Sequence, residues 1–279
     1  MTYKYFFGSD NRSIPYLNTL LENYDSIKVV TTEPRNTGRG RKILNNPVED
    51  YCRSNNVECT YFSNSKYYDD MDFGICVSFG SIFSNDFLIK HPSIFNIHLS
   101  ILPNLVGPSP VETTILNGDT LFGYTIFKII NEVDKGPILF KNQIDIVNNY
   151  SSNVYQELSD DFKINFNSID FNSSLKDQVG EVTRSYKFTK NDYLISKEDT
   201  LINAKNKIKA FDVLGPAFIK YDSKIIKIHK YTEDNSNFTY ELKDGLLYLD
   251  EITPEGKKRM KANDYMRGLQ WKYQQVFRH

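Results

Sequence analysis

The first half of the chain alternates short apolar runs with stretches in which apolar residues recur at helical intervals. Residues 3–7, 27–31 and 73–79 are apolar runs of strand length, and residues 14–21 carry helical spacing. This alternation is typical of a sheet whose strands are joined by crossover helices. The pattern therefore predicts a doubly wound α/β unit with a mostly parallel sheet.

The same pattern predicts the remaining elements of this unit. Strands are expected at residues 95–99, 124–130 and 137–146, an edge strand at 58–62, and helices at 47–54 and 111–116. Residues 151–173 are polar, rich in Asn, Ser and Asp, and carry few periodic cues. No helix or strand is predicted there.

The last third of the chain has the character of a small β module. Strand-like runs lie at residues 217–221, 225–231, 238–242 and 246–249, and a helix is expected near 262–266.

A length of 279 residues exceeds what one core usually reaches, because cores stop growing beyond about 250 residues. We therefore predict a domain at residues 1–185, a linker at 186–200 and a second domain at 201–279.

Composition excludes several classes of protein. The charged and hydrophobic fractions, 25% and 40%, are those of an ordinary globular protein. No run approaches the ~18 apolar residues of a membrane span, so a soluble protein without a membrane partner is expected. The three cysteines, Cys52, Cys59 and Cys76, lack metal-ligand spacing, which argues against a disulfide framework and a zinc site.

Two phosphate-binding motifs are missing from the sequence. Neither G-x-G-x-x-G after the first strand nor G-x-x-x-x-G-K-[ST] occurs, so the phosphate-binding loops of dinucleotide-binding and P-loop proteins are absent.

Charge is uneven along a chain whose formal net charge is −1. From Arg184 onward Lys and Arg outnumber Asp and Glu, and acidic residues predominate before it. A basic surplus fits a module that meets a polyanion, since Lys and Arg make most phosphate contacts. The alternative is a solvated basic face with no partner.

Three polar residues form the most informative constellation. Asn96 and His98 are two apart on a predicted strand, so their side chains point to the same face of the sheet. They lie at the carboxyl end of the strand, which is where open α/β sheets bind ligands. An imidazole relays the proton of an attacking amine, an amide N–H stabilises an oxyanion, and Asp134 would hold the imidazole's tautomer and charge. Taken alone, Asn-x-His is weak evidence, and the alternative is a pair of hydrogen-bonded residues at a strand end.

The surrounding sequence resembles the formyltetrahydrofolate-dependent formyltransferases. The matching segments are N-I-H-L-S-I-L-P-x-x-x-G-P-S-P-V from Asn96, L-N-G-D-x-x-x-G-Y-T-I from Leu116 and D-x-G-P-I-L from Asp134. The resemblance implies a Rossmann-like catalytic domain, 10-formyltetrahydrofolate as formyl donor, no metal, and Asn96, His98 and Asp134 as catalytic residues. It also implies a folate cleft lined by Phe79, Gly80, Ser100, Leu102, Pro103 and Val133.

Two further segments are similar to the methionyl-tRNA formyltransferases within that family. Residues 31–42 resemble the basic loop that meets the tRNA acceptor end, which implies tRNA contacts by Arg39, Arg41 and Lys42. Residues 195–199, 208–211 and 254–260 resemble the linker and C-terminal module, which implies a shortened OB-like β-barrel that supports tRNA through Lys257 and Lys258. The alternative for the loop is an exposed Gly/Arg segment without a role.

The resemblance implies formylation of the α-amine of methionyl initiator tRNA by a monomer that binds folate. Two alternatives stay open, namely an N-formyltransferase acting on a sugar nucleotide and a noncatalytic RNA-binding descendant.

The chain departs from the family at Asn104, Leu105 and Val106, where arginines are usual, which removes cationic contacts from that turn. Residues 6–10 and 134–137 look more like mitochondrial relatives, so the mitochondrial matrix is the expected compartment and the bacterial cytoplasm the alternative.

Overall fold

A computed structural model describes residues 2–37, 42–234 and 236–276. The strands, in chain order, are β1 (Tyr3–Phe7), β2 (Ile27–Thr31), β3 (Arg35–Thr37), β4 (Lys42–Leu44), β5 (Cys59–Tyr61), β6 (Met71–Cys76), β7 (Ile94–His98), β8 (Leu121–Lys128), β9 (Ile138–Asp145), β10 (Phe218–Tyr221), β11 (Lys224–Thr232), β12 (Thr239–Leu242), β13 (Gly245–Pro254) and β14 (Met260–Lys261). The α-helices are α1 (Ile14–Asn23), α2 (Pro47–Asn55), α3 (Asn85–Lys90), α4 (Pro110–Asn117), α5 (Ser151–Asn165), α6 (Leu201–Ala210) and α7 (Ala262–Val276).

The first sheet has seven strands, in the order β5-β2-β1-β6-β7-β8-β9. The neighbours from β5 to β7 are parallel, whereas β8 runs antiparallel to both β7 and β9. The predicted mostly parallel, doubly wound sheet is confirmed, and β5 occupies the predicted edge. The carboxyl ends of β1, β6 and β7 therefore lie side by side, which is where such sheets place ligands.

An aromatic cluster fixes the segment that follows β6. The ring of Phe7 on β1 is fully buried, and its centroid lies 5.2 Å from that of Phe83 and 5.6 Å from that of Phe79. Phe62 packs edge-on against both of these rings, at 5.2 Å from each. Aromatic pairs at these separations add to the free energy of burial. The loop after β6 is thereby anchored to the strand beside it.

A second sheet is antiparallel, in the order β10-β11-β13-β12 with β14 beside β13. Register shifts between Ile228 and Tyr231 interrupt the pairing of β11 with β13, and such bulges bend a strand. This curled sheet is the small C-terminal β module that the sequence predicts. The strand at residues 246–249 extends further than predicted, to Pro254.

Helices α3, α5 and α6 were not predicted. In α5, Val154, Leu158 and Phe162 recur at four-residue intervals and are fully buried, although the surrounding residues are polar. In α6 the buried positions include Ala204 and Ile208, and Thr200 caps the helix by accepting a hydrogen bond from the Asn203 N–H. Narrow apolar stripes among polar residues still suffice for helices that pack on one side.

The chain divides into two compact units. The first contains residues 1–110, 121–145 and 155–185, and the second contains 111–120, 146–154 and 186–279. The expected domains were continuous segments, whereas two short segments before residue 155 belong to the second unit. Within that unit, Ile195 of the predicted linker is buried, and its N–H bonds the Phe218 carbonyl. None of the described helices has the length and apolar character needed to cross a membrane.

Phe7→Ala should lower the free energy of unfolding by about 3–5 kcal/mol, because it empties the centre of the aromatic cluster. Urea unfolding followed by circular dichroism measures the change. Ile164→Ala is the matched control, since Ile164 is 80% exposed and its truncation should cost less than about 0.5 kcal/mol. Equal effects of the two substitutions would contradict the structural role of the cluster.

Candidate active site

A cavity of about 620 Å³ lies at the carboxyl edge of the first sheet. Its walls come from five segments within residues 9–12, 76–83, 96–99, 107–110 and 127–134, together with Tyr155 of α5. Small-molecule sites in proteins commonly have volumes of roughly 300–1,000 Å³. The cavity is therefore large enough for an organic substrate.

Asn96 and His98 both line this cavity from β7. They share a face of the sheet because they are two residues apart on a strand. The Asn96 amide is half-buried, and its side chain has no hydrogen-bond partner in the described part of the chain. Its N–H groups are available to a ligand in the cavity.

The tautomer of His98 is set by the backbone of a neighbouring turn. Its Nε2 lies 3.0 Å from the Leu105 carbonyl oxygen, and because a carbonyl only accepts, Nε2 carries the proton. Nδ1 faces the Asp134 carboxylate, with 3.8 Å between Nδ1 and Oδ2. This distance exceeds a direct hydrogen bond, so Nδ1 is the nitrogen left to accept a proton.

Asp134 is held at this position from two sides. Its Oδ2 accepts a hydrogen bond of 3.0 Å from the Gly107 N–H, while the Gln178 amide donates to the Asp134 and Gly136 carbonyls, each at 2.8 Å. Asp134 has a left-handed φ of +54°, which is unusual for a residue with a side chain. Strained backbone of this kind is often retained at functional sites. A carboxylate so placed stabilises the cation that forms when His98 gains a proton.

Three of the six residues predicted to contact folate line the cavity, namely Phe79, Gly80 and Val133. The Ser9 hydroxyl donates a hydrogen bond of 2.6 Å to the Phe79 carbonyl, which ties the ends of β1 and β6 together. Val133 is 68% exposed at the cavity, as is Ile82 at 81%. Exposed aliphatic side chains at a cavity favour contact with an apolar ligand.

Ser100, Leu102 and Pro103 are not among the residues that line the cavity. The Ser100 hydroxyl donates to the Asn104 carbonyl at 2.6 Å, and the buried Leu102 packs in an apolar cluster that contains Val106. These residues shape the turn that follows β7. Their contact with folate stays a prediction, and the structure gives them a supporting position.

The predicted tRNA-contacting residues are distributed over two regions. Arg39 and Arg41 lie outside the described residues, and of Lys42 the structure describes only the backbone, at the start of β4. Lys257 and Lys258 are exposed in the turn between β13 and β14. Neither lysine forms an ion pair with a described carboxylate, and the Lys257 Nζ lies 5.1 Å from the centre of the Tyr265 ring.

The turn that departs from the family pattern has a structural role of its own. Leu105 provides the carbonyl oxygen that accepts from His98, and Val106 is buried. The Val106 N–H bonds the Thr183 carbonyl, and the Ser185 N–H bonds the Val106 carbonyl. Asn104 is exposed. The substitutions thus change side chains at a turn whose contacts to the site are made by its backbone.

Sequence reasoning missed Arg12, which lines the cavity from the segment after β1. Its Nε donates to the Asp10 carboxylate at 2.7 Å and its Nη1 donates to the Tyr155 hydroxyl at 3.2 Å. Burial lowers the pKa of Arg12, but Tyr155 and Asp10 outweigh this effect, so the pKa lies above its ordinary value. The available signal was its position just after the first parallel strand.

Cys76 also lines the cavity but is unsuited to act as a nucleophile. Burial, reinforced by the charge of Asp134, raises the pKa of its thiol far above the ordinary value. A thiol that stays protonated near neutral pH attacks poorly, because the thiolate is the reactive form. The chemistry of the site therefore falls to the amide, the imidazole and the carboxylate.

An amide donor, an imidazole and a carboxylate around one cavity provide what acyl transfer to an amine requires, namely oxyanion stabilisation and proton relay. The site thus defines a candidate acyl-group transferase on a Rossmann-like sheet. The formyl transferase family model matches residues 11–165, which is more than half of the chain. The chain belongs to the formyl transferase family.

Curated relatives match almost the whole chain. The methionyl-tRNA formyltransferase of Wolbachia pipientis subsp. Culex pipiens is 30% identical, and the alignment covers 95% of this chain and 95% of the relative. That of Clostridium acetobutylicum is 26% identical over 94% of this chain and 95% of the relative.

Solved structures share the fold. A methionyl-tRNA formyltransferase from Clostridium thermocellum has a TM-score of 0.63 and 15% identity, and covers 94% of this chain and 100% of that chain. WlaRD, a sugar 3N-formyl transferase solved in the presence of dTDP and 5-N-formyl-THF, has a TM-score of 0.63 and 22% identity, covering 92% and 99%.

Gly136→Ala should lower the formyl-transfer rate about 10²-fold, because displacing a catalytic group by about 1 Å costs that much. A Cβ at this position would lie 1.7 Å from the Lys128 carbonyl oxygen, so the segment that carries Asp134 must shift. The rate is measured at saturating substrates, with circular dichroism to verify folding.

Gly268→Ala is the control, since a Cβ there meets no atom within 4 Å. Its rate should equal that of the unmodified protein. A folded Gly136→Ala protein with a normal rate would show that the position of Asp134 is unimportant.

Proposed function

We propose that this protein transfers the formyl group of 10-formyltetrahydrofolate to the α-amine of methionyl initiator tRNA, for translation initiation. The observation that carries the proposal is the convergence of Asn96, His98 and Asp134 on one cavity in a member of the formyl transferase family. The end-to-end similarity to methionyl-tRNA formyltransferases supports this acceptor.

Each of the three residues has a distinct part in the reaction. The α-amine attacks the formyl carbon, and the Asn96 amide N–H donates to the oxygen as it becomes negative. His98 accepts the proton of the amine at Nδ1, while its Nε2–H stays bonded to Leu105. Asp134 stabilises the resulting imidazolium. The proton then passes to the folate nitrogen as its bond to the formyl carbon breaks, so the enzyme is regenerated.

The donor fits the side of the cavity formed by the segments after β6 and β8. Phe79 and Gly80, together with the exposed side chains of Val133 and Ile82, border this part of the cavity. A flat conjugated ring system packs well on such aliphatic walls. WlaRD, whose structure was solved with a formylated folate, supports a folate donor on this fold.

The acceptor requires basic contacts beyond the cavity. We assign these to Arg39, Arg41 and Lys42 of the basic loop and to Lys257 and Lys258, which are exposed and form no ion pair with a described carboxylate. Phosphate neutralisation by such residues makes affinity dependent on salt. A monomer and a mitochondrial location stay predictions from the sequence.

The decisive experiment compares acceptors. Purified protein is incubated with 10-formyltetrahydrofolate and either methionyl initiator tRNA or an amino sugar nucleotide, and formylated product is quantified with and without the donor. Donor-dependent formylation of the tRNA is expected. Preference for the sugar nucleotide would replace the proposed acceptor, and tRNA binding without consumption of donor would indicate a noncatalytic RNA-binding protein.

His98→Ala should reduce turnover by roughly 10²-fold or more, because general acid–base groups contribute about 10²–10⁴-fold. Asn96→Ala should cost about 10²–10³-fold by removing an oxyanion donor. Single-turnover formylation of charged tRNA measures both effects.

Asn153→Ala provides the matched control, because Asn153 is an exposed asparagine of α5 that does not line the cavity. Its rate should be unchanged. Near-normal turnover by a folded His98→Ala protein would remove the assigned role of the imidazole.

A further inference from the structure

Arg12 differs in charge from every other described residue that lines the cavity, apart from the titratable His98. The remaining charged residues along the walls are Asp10, Glu132 and Asp134, all acidic. Both substrates of the proposed reaction are anionic, one through phosphates and the other through carboxylates. Arg12 is therefore the side chain in the cavity walls that is suited to bind an anion.

The guanidinium is oriented and retains unused donors. Nε and Nη2 donate to Asp10, Nη1 donates to the Tyr155 hydroxyl, and the Arg12 side chain is 20% exposed. Each terminal nitrogen carries two hydrogens, so one N–H on each remains beyond these bonds. A planar fork fixed in this way is matched to two oxygens of a phosphate.

The strand order places Arg12 at the end of the cavity that is nearest to β2. Arg12 follows β1, which lies between β6 and β2, and β2 leads into the basic loop proposed to meet tRNA. Of the two folate walls, the segment after β8 lies beyond β7, whereas the segment after β6 lies between Arg12 and β7. Two strand spacings, about 10 Å, separate β1 from β7 with its catalytic pair. In an aminoacylated RNA, the terminal ribose and the aminoacyl group together separate the reacting amine from the 5′-phosphate of the terminal nucleotide by a comparable distance.

We propose that Arg12 binds the 5′-phosphate of the 3′-terminal adenosine of the aminoacylated RNA and thereby adds to the affinity for this substrate. This inference rests on the proposed function. Asp10 and Tyr155 act as positioning residues that hold the guanidinium.

Arg12→Gln should raise the KM for methionyl-tRNA about 10- to 100-fold, the range for loss of a charged hydrogen-bonding group. The kcat and the KM for 10-formyltetrahydrofolate should stay within about twofold, since binding shared by ground and transition states affects KM. The dependence of log KM on log salt should become shallower by about 0.7–1, as expected for one lost phosphate contact. Arg53→Gln, at an exposed arginine of α2, should change none of these.

Minimal acceptors isolate the phosphate. Methionine esterified to adenosine 5′-monophosphate should be formylated with a lower KM than methionine esterified to adenosine, and Arg12→Gln should abolish this difference. Arg12→Lys, which keeps the charge and loses the fork, should keep the salt dependence and recover part of the affinity. The Arg12→Lys variant also provides a test of the proposal if the Arg12→Gln variant fails to fold.

Three results would overturn the proposal. One is an equal loss by Arg12→Gln with both minimal acceptors. Another is an altered preference between 10-formyltetrahydrofolate and its analogue lacking the glutamyl tail, which would assign Arg12 to the donor. The third is an unchanged KM for tRNA. In each case the unmodified protein still formylates methionyl-tRNA, whereas failure of that reaction would instead refute the proposed function.

Discussion

One backbone turn after β7 positions the imidazole of His98 and the carboxylate of Asp134. The Leu105 carbonyl accepts the Nε2–H of His98, and two residues later the Gly107 N–H donates to the Asp134 carboxylate. The imidazole therefore presents Nδ1 and the carboxylate faces it at 3.8 Å. The relative placement of these groups depends on a short stretch of main chain rather than on a direct bond between them.

The turn is itself held by hydrogen bonds from buried side chains. The Thr125 hydroxyl on β8 donates to the Ser100 carbonyl at 2.7 Å and accepts from the Leu102 N–H at 3.0 Å, and Ser100 closes the turn onto Asn104. Because the contacts to His98 and Asp134 are made by the backbone, the identity of the side chains at Asn104 and Leu105 is free to vary. The expected loss of arginines from this turn therefore leaves the two backbone contacts in place.

Apolar runs of strand length were the most informative signal in the sequence. β1 and β2 have the predicted bounds, and the Asn96-x-His98 spacing on β7 correctly placed two side chains on one cavity. Helix α5 was missed because its buried apolar residues occur only once per turn, among residues that favour loops. The antiparallel direction of β8 also depends on tertiary pairing that local patterns do not encode.

The sequence also identified some residues of the candidate site and missed others. Asp134 was found through resemblance, since nothing local indicates that the loop after β8 returns to β7. Arg12 was missed because its significance comes from the lack of other Lys or Arg side chains among the described residues that line the cavity, and this is visible only in the folded arrangement. The supporting positions of Ser100 and Leu102 likewise emerge only once the turn is seen in three dimensions.

The division of the chain into two units has a consequence for dissection of the protein. The second unit takes residues 111–120 and 146–154 from within the span of the first, so the polypeptide enters it three times and returns to the first unit twice. Cutting the chain after Ser185 would yield a fragment that retains pieces belonging elsewhere and a complementary fragment that lacks them. Neither fragment corresponds to one of the two units, so a cut after Ser185 is unsuited to separating them.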